Sequence, residues 1–129
     1  MTTTTQPPAK KYDLEGRTLA FADQTRDFIA KLPKTLINTD DCKQVLRSSG
    51  SVGSNYREAN NAVSKADFIF RIRICRKEAK ESEYWFQLIR TPVGTDLEKE
   101  RLKLLQEAKE LRLIFAAILL KCSKKGATN

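Results

Sequence analysis

The chain has 129 residues, 40% hydrophobic and 31% charged, with only five Gly and four Pro, which leaves room for one core and too few turn residues for a β-sandwich. A formal charge of +8 draws polyanions, and the absence of histidine removes the commonest general base and transition-metal ligand. Cys42, Cys75 and Cys122 lie far apart with no C-x-x-C pair, a pattern that suggests neither a zinc site nor a disulfide framework.

Residues 1–12, a Thr, Pro and Lys tract, lack the apolar stretch of a secretory signal and read as a flexible arm carrying Lys10 and Lys11. No apolar run of about 18 residues follows, and thiols of this kind suit a reducing compartment, so a cytoplasmic protein is expected. Leu14, Thr18, Phe21, Thr25, Phe28 and Leu32 recur at helical spacing and predict a helix over 14–32, ended by Pro33. A second helix is expected over 40–62, capped by Thr39, with Asp40 and Asp41 in its first turn and a stripe of Val45, Ser49, Val52, Tyr56, Ala59 and Val63. Ser64 and Asp67 have capping-box spacing and open a third helix over 65–90, with Phe68, Ile72, Cys75, Ala79, Phe86 and Ile89 on its core face. Thr91-Pro92-Val93-Gly94 breaks it. Thr95 and Glu98 form a second capping box, and Leu97, Leu104, Ala108, Leu111, Phe115, Ile118 and Cys122 make the seam of a fourth helix over 96–122, followed by a tail, 124–129. Short links between amphipathic helices predict an antiparallel up-down-up-down four-helix bundle spanning 13–123.

The last two helices carry more apolar surface than one bundle needs. Phe70, Ile74, Trp85 and Leu88 form a second face on the third helix, among Asp67, Glu78 and Glu81. Leu102, Leu105, Leu113, Ala116 and Leu120 flank the seam of the fourth. Monomers seldom expose patches of this kind, so we expect a homo-oligomer whose interface includes Phe70, Ile74, Tyr84, Trp85, Leu88, Leu102 and Leu113; a wide stripe filling a tight core is the alternative.

Arg73, Arg76, Lys77 and Lys80 stand at i, i+3, i+4 and i+7, a basic ladder continued by Tyr84. Between Lys43 and Lys80 there are nine basic residues and three acidic ones, so most of the excess charge lies here. With Arg57 and Lys65 behind them, these cations are the candidate nucleic-acid site; a solvated face paired with Glu81 and Glu83 is the competing reading. On the second helix Arg47, Ser51, Asn55 and Glu58, among serines and glycines of low helix propensity, read as a structural polar network reaching Glu78 or Glu81.

Three stretches then fit one pattern: Leu46-Arg47-Ser48-Ser49-Gly50-Ser51-Val52-Gly53-Ser54-Asn55-Tyr56-Arg57-Glu58-Ala59, Ser64-Lys65-Ala66-Asp67-Phe68, and Lys77-Glu78-Ala79-Lys80-Glu81-Ser82-Glu83-Tyr84-Trp85. They resemble the hallmark of the 23S rRNA-intervening sequence proteins, with Arg47, Ser48, Ser51, Asn55, Glu58, Asp67, Phe68, Glu81 and Tyr84 at the motif positions. The resemblance implies a bacterial left-turning four-helix bundle assembled as a ring-like homopentamer. It also implies a distant similarity to the accessory variability determinant of diversity-generating retroelements, a basic pentamer that binds nucleic acid and a reverse transcriptase.

The expected function is non-enzymatic binding of structured RNA, or of nucleic acid generally, without a cofactor or metal. The alternative is a scaffold or accessory factor for an acidic protein such as a polymerase or reverse transcriptase. Serines without a base offer no activated nucleophile. Glu78, Glu81 and Asp67 share a face that a Mg²⁺-dependent nuclease would need, but the Phe and Trp between them favour an interface.

Overall fold

A computed structural model describes residues 13–127; the arm expected over 1–12 lies outside the described residues. It has four helices, α1 (Leu14–Lys31), α2 (Leu36–Asn60), α3 (Lys65–Leu88) and α4 (Asp96–Ala127), and the described residues contain no strand. Each helix packs on its sequence neighbour, and α1 also meets α4, so the four enclose one core.

The apolar stripes meet there. Phe21 and Phe28 of α1 pack edge-on or tilted against Phe86 of α3, with ring centroids 6.2 and 6.3 Å apart, and Tyr56 of α2 meets Phe115 of α4 at 5.9 Å. Such offset arrangements suit the ring quadrupoles and add to the burial of apolar area. Thr18 and Thr25 fall on the same stripe of α1, and their buried hydroxyls donate to the carbonyls of Leu14 and Phe21 one turn back, so no polar group is stranded. Cys75 is buried and donates to the Val52 carbonyl across the α2–α3 contact; burial pushes its thiol up to about 12, which leaves an inert packing group. Cys122, placed by its spacing on the seam of the fourth helix, is half-exposed.

Helix ends depart from expectation in three places. The second helix starts at Leu36 rather than 40, because Thr35, not Thr39, is its cap and accepts from the Asn38 amide. The extra turn brings Asn38 to the end of α3, where its amide group donates to the Arg90 carbonyl at 3.0 Å and accepts from the Arg90 N–H at 2.9 Å. Asp41 is buried as a result, and burial ahead of its neighbour Asp40 raises its carboxyl above the usual range. Next, α2 stops at Asn60, so Val63, expected on its stripe, sits exposed in the link. Finally, α4 runs on through Ala127, into the tail expected from 124.

Two caps follow the sequence reading in part. Ser64 accepts from the Asp67 amide, as a capping residue should. Thr95 accepts from the Glu98 amide, but the Glu98 carboxylate turns away to Thr91 and Arg101 instead of closing the box. Gly94, at φ 80°, makes the sharp turn before α4, a left-handed conformation that a side chain would strain.

Because Thr35 holds an otherwise unpaired amide, Thr35→Ala is expected to lower the unfolding free energy by about 1 kcal/mol. Thr39→Ala, in the second turn, should leave it nearly unchanged; chemical denaturation of both variants checks the order.

Candidate nucleic-acid interface

On α3 the polar side chains divide by charge, because each flank of the helix meets a different neighbour. The carboxylates turn toward arginines on adjacent helices. Arg47 of α2 reaches across with its guanidinium fork, donating to both oxygens of Glu78 at 3.2 and 3.0 Å and to Glu81 at 2.7 Å. Glu78 is buried, so this fork supplies the partners a dry carboxylate requires. Glu81 also accepts from the Trp85 indole at 3.3 Å. Burial pushes the Glu81 carboxyl up, but hydrogen bonds from Arg47 and Trp85 outweigh it and hold the group below the usual carboxylate range. On the opposite flank, Glu83 is paired with Arg112 of α4.

The basic ladder is left without direct ion pairs. Among the described residues no ion pair involves Arg73, Arg76, Lys77 or Lys80, whereas Arg17, Lys31, Arg47, Arg101 and Arg112 each hold a carboxylate. Glu81 and Glu83, the carboxylates that the competing reading paired with this face, instead make their direct ion pairs with Arg47 and Arg112. The four ladder residues are exposed and, together with Arg112 and Ala116, line a shallow cleft of about 440 Å³ between α3 and α4. Arg112 escaped the sequence reading because it lies on the other helix. Its pairing with Glu83 carries no sequence signature.

Two expected members of the site stand apart. Lys65 is exposed at the start of α3, about 12 Å along the axis from Arg73. Arg57 faces a different groove, of about 360 Å³, between α1 and α2, where it meets Arg26, Glu15 and Asp23. Its position on α2 points it away from the α3–α4 cleft, so it does not belong to the ladder.

The polar network is also partly redrawn. Arg47 and Glu81 belong to it as expected. Asn55 belongs to a second branch: its Nδ2 donates to the Ser51 carbonyl at 2.9 Å and its Oδ1 accepts from Arg71 at 3.1 Å. Ser51 contributes that backbone oxygen. Glu58 is exposed and makes no side-chain hydrogen bond among the described residues, so it falls outside the network. Ser48 and Ser82, buried and 2.8 Å apart, were missed as a pair and mark how closely α2 approaches α3.

The residues expected at an oligomer interface are surface groups to different degrees. Phe70 and Tyr84 are each 55% exposed, Leu113 is 50% exposed, and Leu88 and Leu102 are also exposed. Ile74 and Trp85 are half-buried. On α4, Leu102, Leu113 and Leu120 follow one flank of the helix, the one that also carries Ala116 into the basic cleft.

The described residues contain no helix long and apolar enough to cross a membrane and no cluster of three metal-ligating side chains. A model of the 23S rRNA-intervening sequence protein family matches residues 10–117. Among solved structures, a protein of unknown function from the S23 ribosomal protein family of Bacteroides thetaiotaomicron is similar. It is 34% identical, the match covers 82% of this chain and 97% of that one, and the TM-score is 0.69. No curated protein matches the chain.

Replacing Arg47 with Met strips Glu78 and Glu81 of their cation. Unfolding free energy at pH 7 should fall by about 2 kcal/mol, the scale of hydrogen bonds to a charged group. Because the folded Glu81 carboxyl titrates below its unfolded value of about 4.3, its contribution is present above that pH and disappears as pH falls through the folded value. Wild type and Arg47→Met should therefore converge in stability on acidification; a gap independent of pH contradicts the assignment.

Proposed function

Since this chain belongs to the 23S rRNA-intervening sequence protein family, we propose that it is a non-enzymatic, self-associating protein that binds the phosphate backbone of structured RNA through α3. One observation carries the reading: four cations of one helix flank lie side by side with no ion-pair partner among the described residues, while Arg112 in the same cleft and Arg47 on the neighbouring helix are both paired. Cations already held in ion pairs gain little from a phosphate. Unpaired ones neutralise it fully and release its condensed counterions. Lys65 extends the track toward the start of α3.

The course proposed for the chain is antiparallel, up-down-up-down. Arg17 near the start of α1 bonds Glu107 and Glu110, while Lys31 at its end bonds Glu100 near the start of α4, which supports opposite directions. The exposed leucines of α4, with Leu88 of α3, support self-association, because a second copy would remove them from water. A closed ring satisfies such a contact repeatedly, and five subunits is the number the family resemblance suggests. The proposed location is the cytoplasm. A reverse transcriptase or another acidic protein is the alternative partner for the same basic face, the role of the accessory variability determinant; co-purification that survives nuclease treatment distinguishes it. Catalysis is not part of the proposal, since Arg47 already holds Glu78 and Glu81.

Filter binding of a hairpin RNA should weaken steeply with salt. The quadruple variant Arg73→Ala, Arg76→Ala, Lys77→Ala, Lys80→Ala should flatten the log–log salt slope by about three units, at roughly 0.7–0.9 per phosphate contact. An unchanged slope contradicts the site. Leu113→Asp with Leu102→Asp should reduce the sedimentation coefficient to that of a 14.7 kDa monomer, whereas a wild-type protein that already sediments so refutes self-association.

A further inference from the structure

The outward face of α3 carries more than charge. Phe70, Arg73, Lys77, Lys80 and Tyr84 fall at i, i+3, i+7, i+10 and i+14, a single stripe reading aromatic, three cations, aromatic. The two rings lie about 21 Å apart along the axis, and both are 55% exposed.

Neither ring is left to move freely. Arg71 stacks over Phe70 at 5.7 Å from its centroid, and Arg71 is itself held by Asn55 of α2. At the other end Trp85 meets Tyr84 nearly perpendicularly, at 5.0 Å, with its indole fixed by Glu81, which Arg47 of α2 holds. The chains Asn55–Arg71–Phe70 and Arg47–Glu81–Trp85–Tyr84 therefore brace both exposed rings from the same neighbouring helix. Both rings nevertheless stay more than half exposed beside the cations.

From this we infer that the stripe is a platform for an unpaired stretch of nucleic acid, in which Phe70 and Tyr84 stack bases while Arg73, Lys77 and Lys80 track the phosphates between them. Rings between bases add affinity only where base faces are free, and a duplex has none to offer along its length. The inference deepens the binding role proposed above and depends on it: the cations hold any polyanion, and the aromatics select single strands. Stacking ignores both sequence and sugar, so RNA and DNA strands serve alike.

The test uses the full chain and fluorescence anisotropy with a labelled strand of about a dozen nucleotides, the site size of a small single-strand binder. The strand is offered alone, as RNA and as DNA, and paired to its complement. The wild type is expected to prefer either single strand over its duplex at least roughly tenfold. Phe70→Ala with Tyr84→Ala should erase that preference while leaving duplex affinity and salt slope unchanged, and Tyr84→Phe, which keeps the ring, should retain it. Equal affinity for strand and duplex overturns the platform while leaving the charged site standing. No binding of either form overturns both. Sedimentation of the double variant is the remaining check: an unchanged coefficient is expected, and dissociation would show that the rings serve subunit contacts instead.

Discussion

The fork of Arg47 between Glu78 and Glu81 is the contact on which the rest of the molecule depends. It ties α2, a helix with serines and two glycines of weak intrinsic propensity in its central turns, to α3. The small residues have a steric purpose as well. A Cβ on Gly53 would come within 3.0 Å of the Thr18 hydroxyl, and Ser48 meets Ser82 at 2.8 Å, so α2 lies close against both α1 and α3. Close packing buries the Glu78 carboxylate, and the fork, itself half exposed, satisfies the group that packing would otherwise strand.

This arrangement also explains why α3 presents bare cations. A helix with interspersed Glu and Lys would ordinarily neutralise itself through neighbours one turn apart. Here Glu78 and Glu81 are drawn to α2 and Glu83 to α4, which leaves Arg73, Arg76, Lys77 and Lys80 without a direct ion pair among the described residues. The fold thus sorts charge by flank: acidic groups bind the bundle together, and basic groups face outward. The same interhelical bonds reach the surface through Trp85 and Arg71, so the contacts that hold α2 to α3 also position the rings flanking the cations.

Much of this was legible because amphipathic periodicity is strong. The α1 stripe from Leu14 to Leu32 and the α3 stripe from Ile72 to Ile89 are buried at nearly every expected position, and Pro33 and Ser64 mark real helix boundaries. Thr35 and Thr39 are equally good caps by type, one turn apart. The choice between them is made by Asn38, whose partner at Arg90 lies 52 residues away. The same limit applies to the site. The ladder is written in local spacing, but its lack of partners depends on Arg47 and Arg112, which belong to other helices. Arg57 was grouped with it by charge density along the sequence, although the fold turns it to the α1–α2 groove. Asn55 was read as part of a network with Arg47, yet its partner is Arg71, sixteen residues on and on the next helix.

Trp85 is the one tryptophan in the chain and lies against Tyr84 at the end of the ladder, which makes its emission a direct reporter of this face. Titration with RNA at low salt should change that emission saturably, and raising the salt should restore it. RNA that binds while the Trp85 spectrum stays fixed would place the polyanion elsewhere on the molecule and contradict the account.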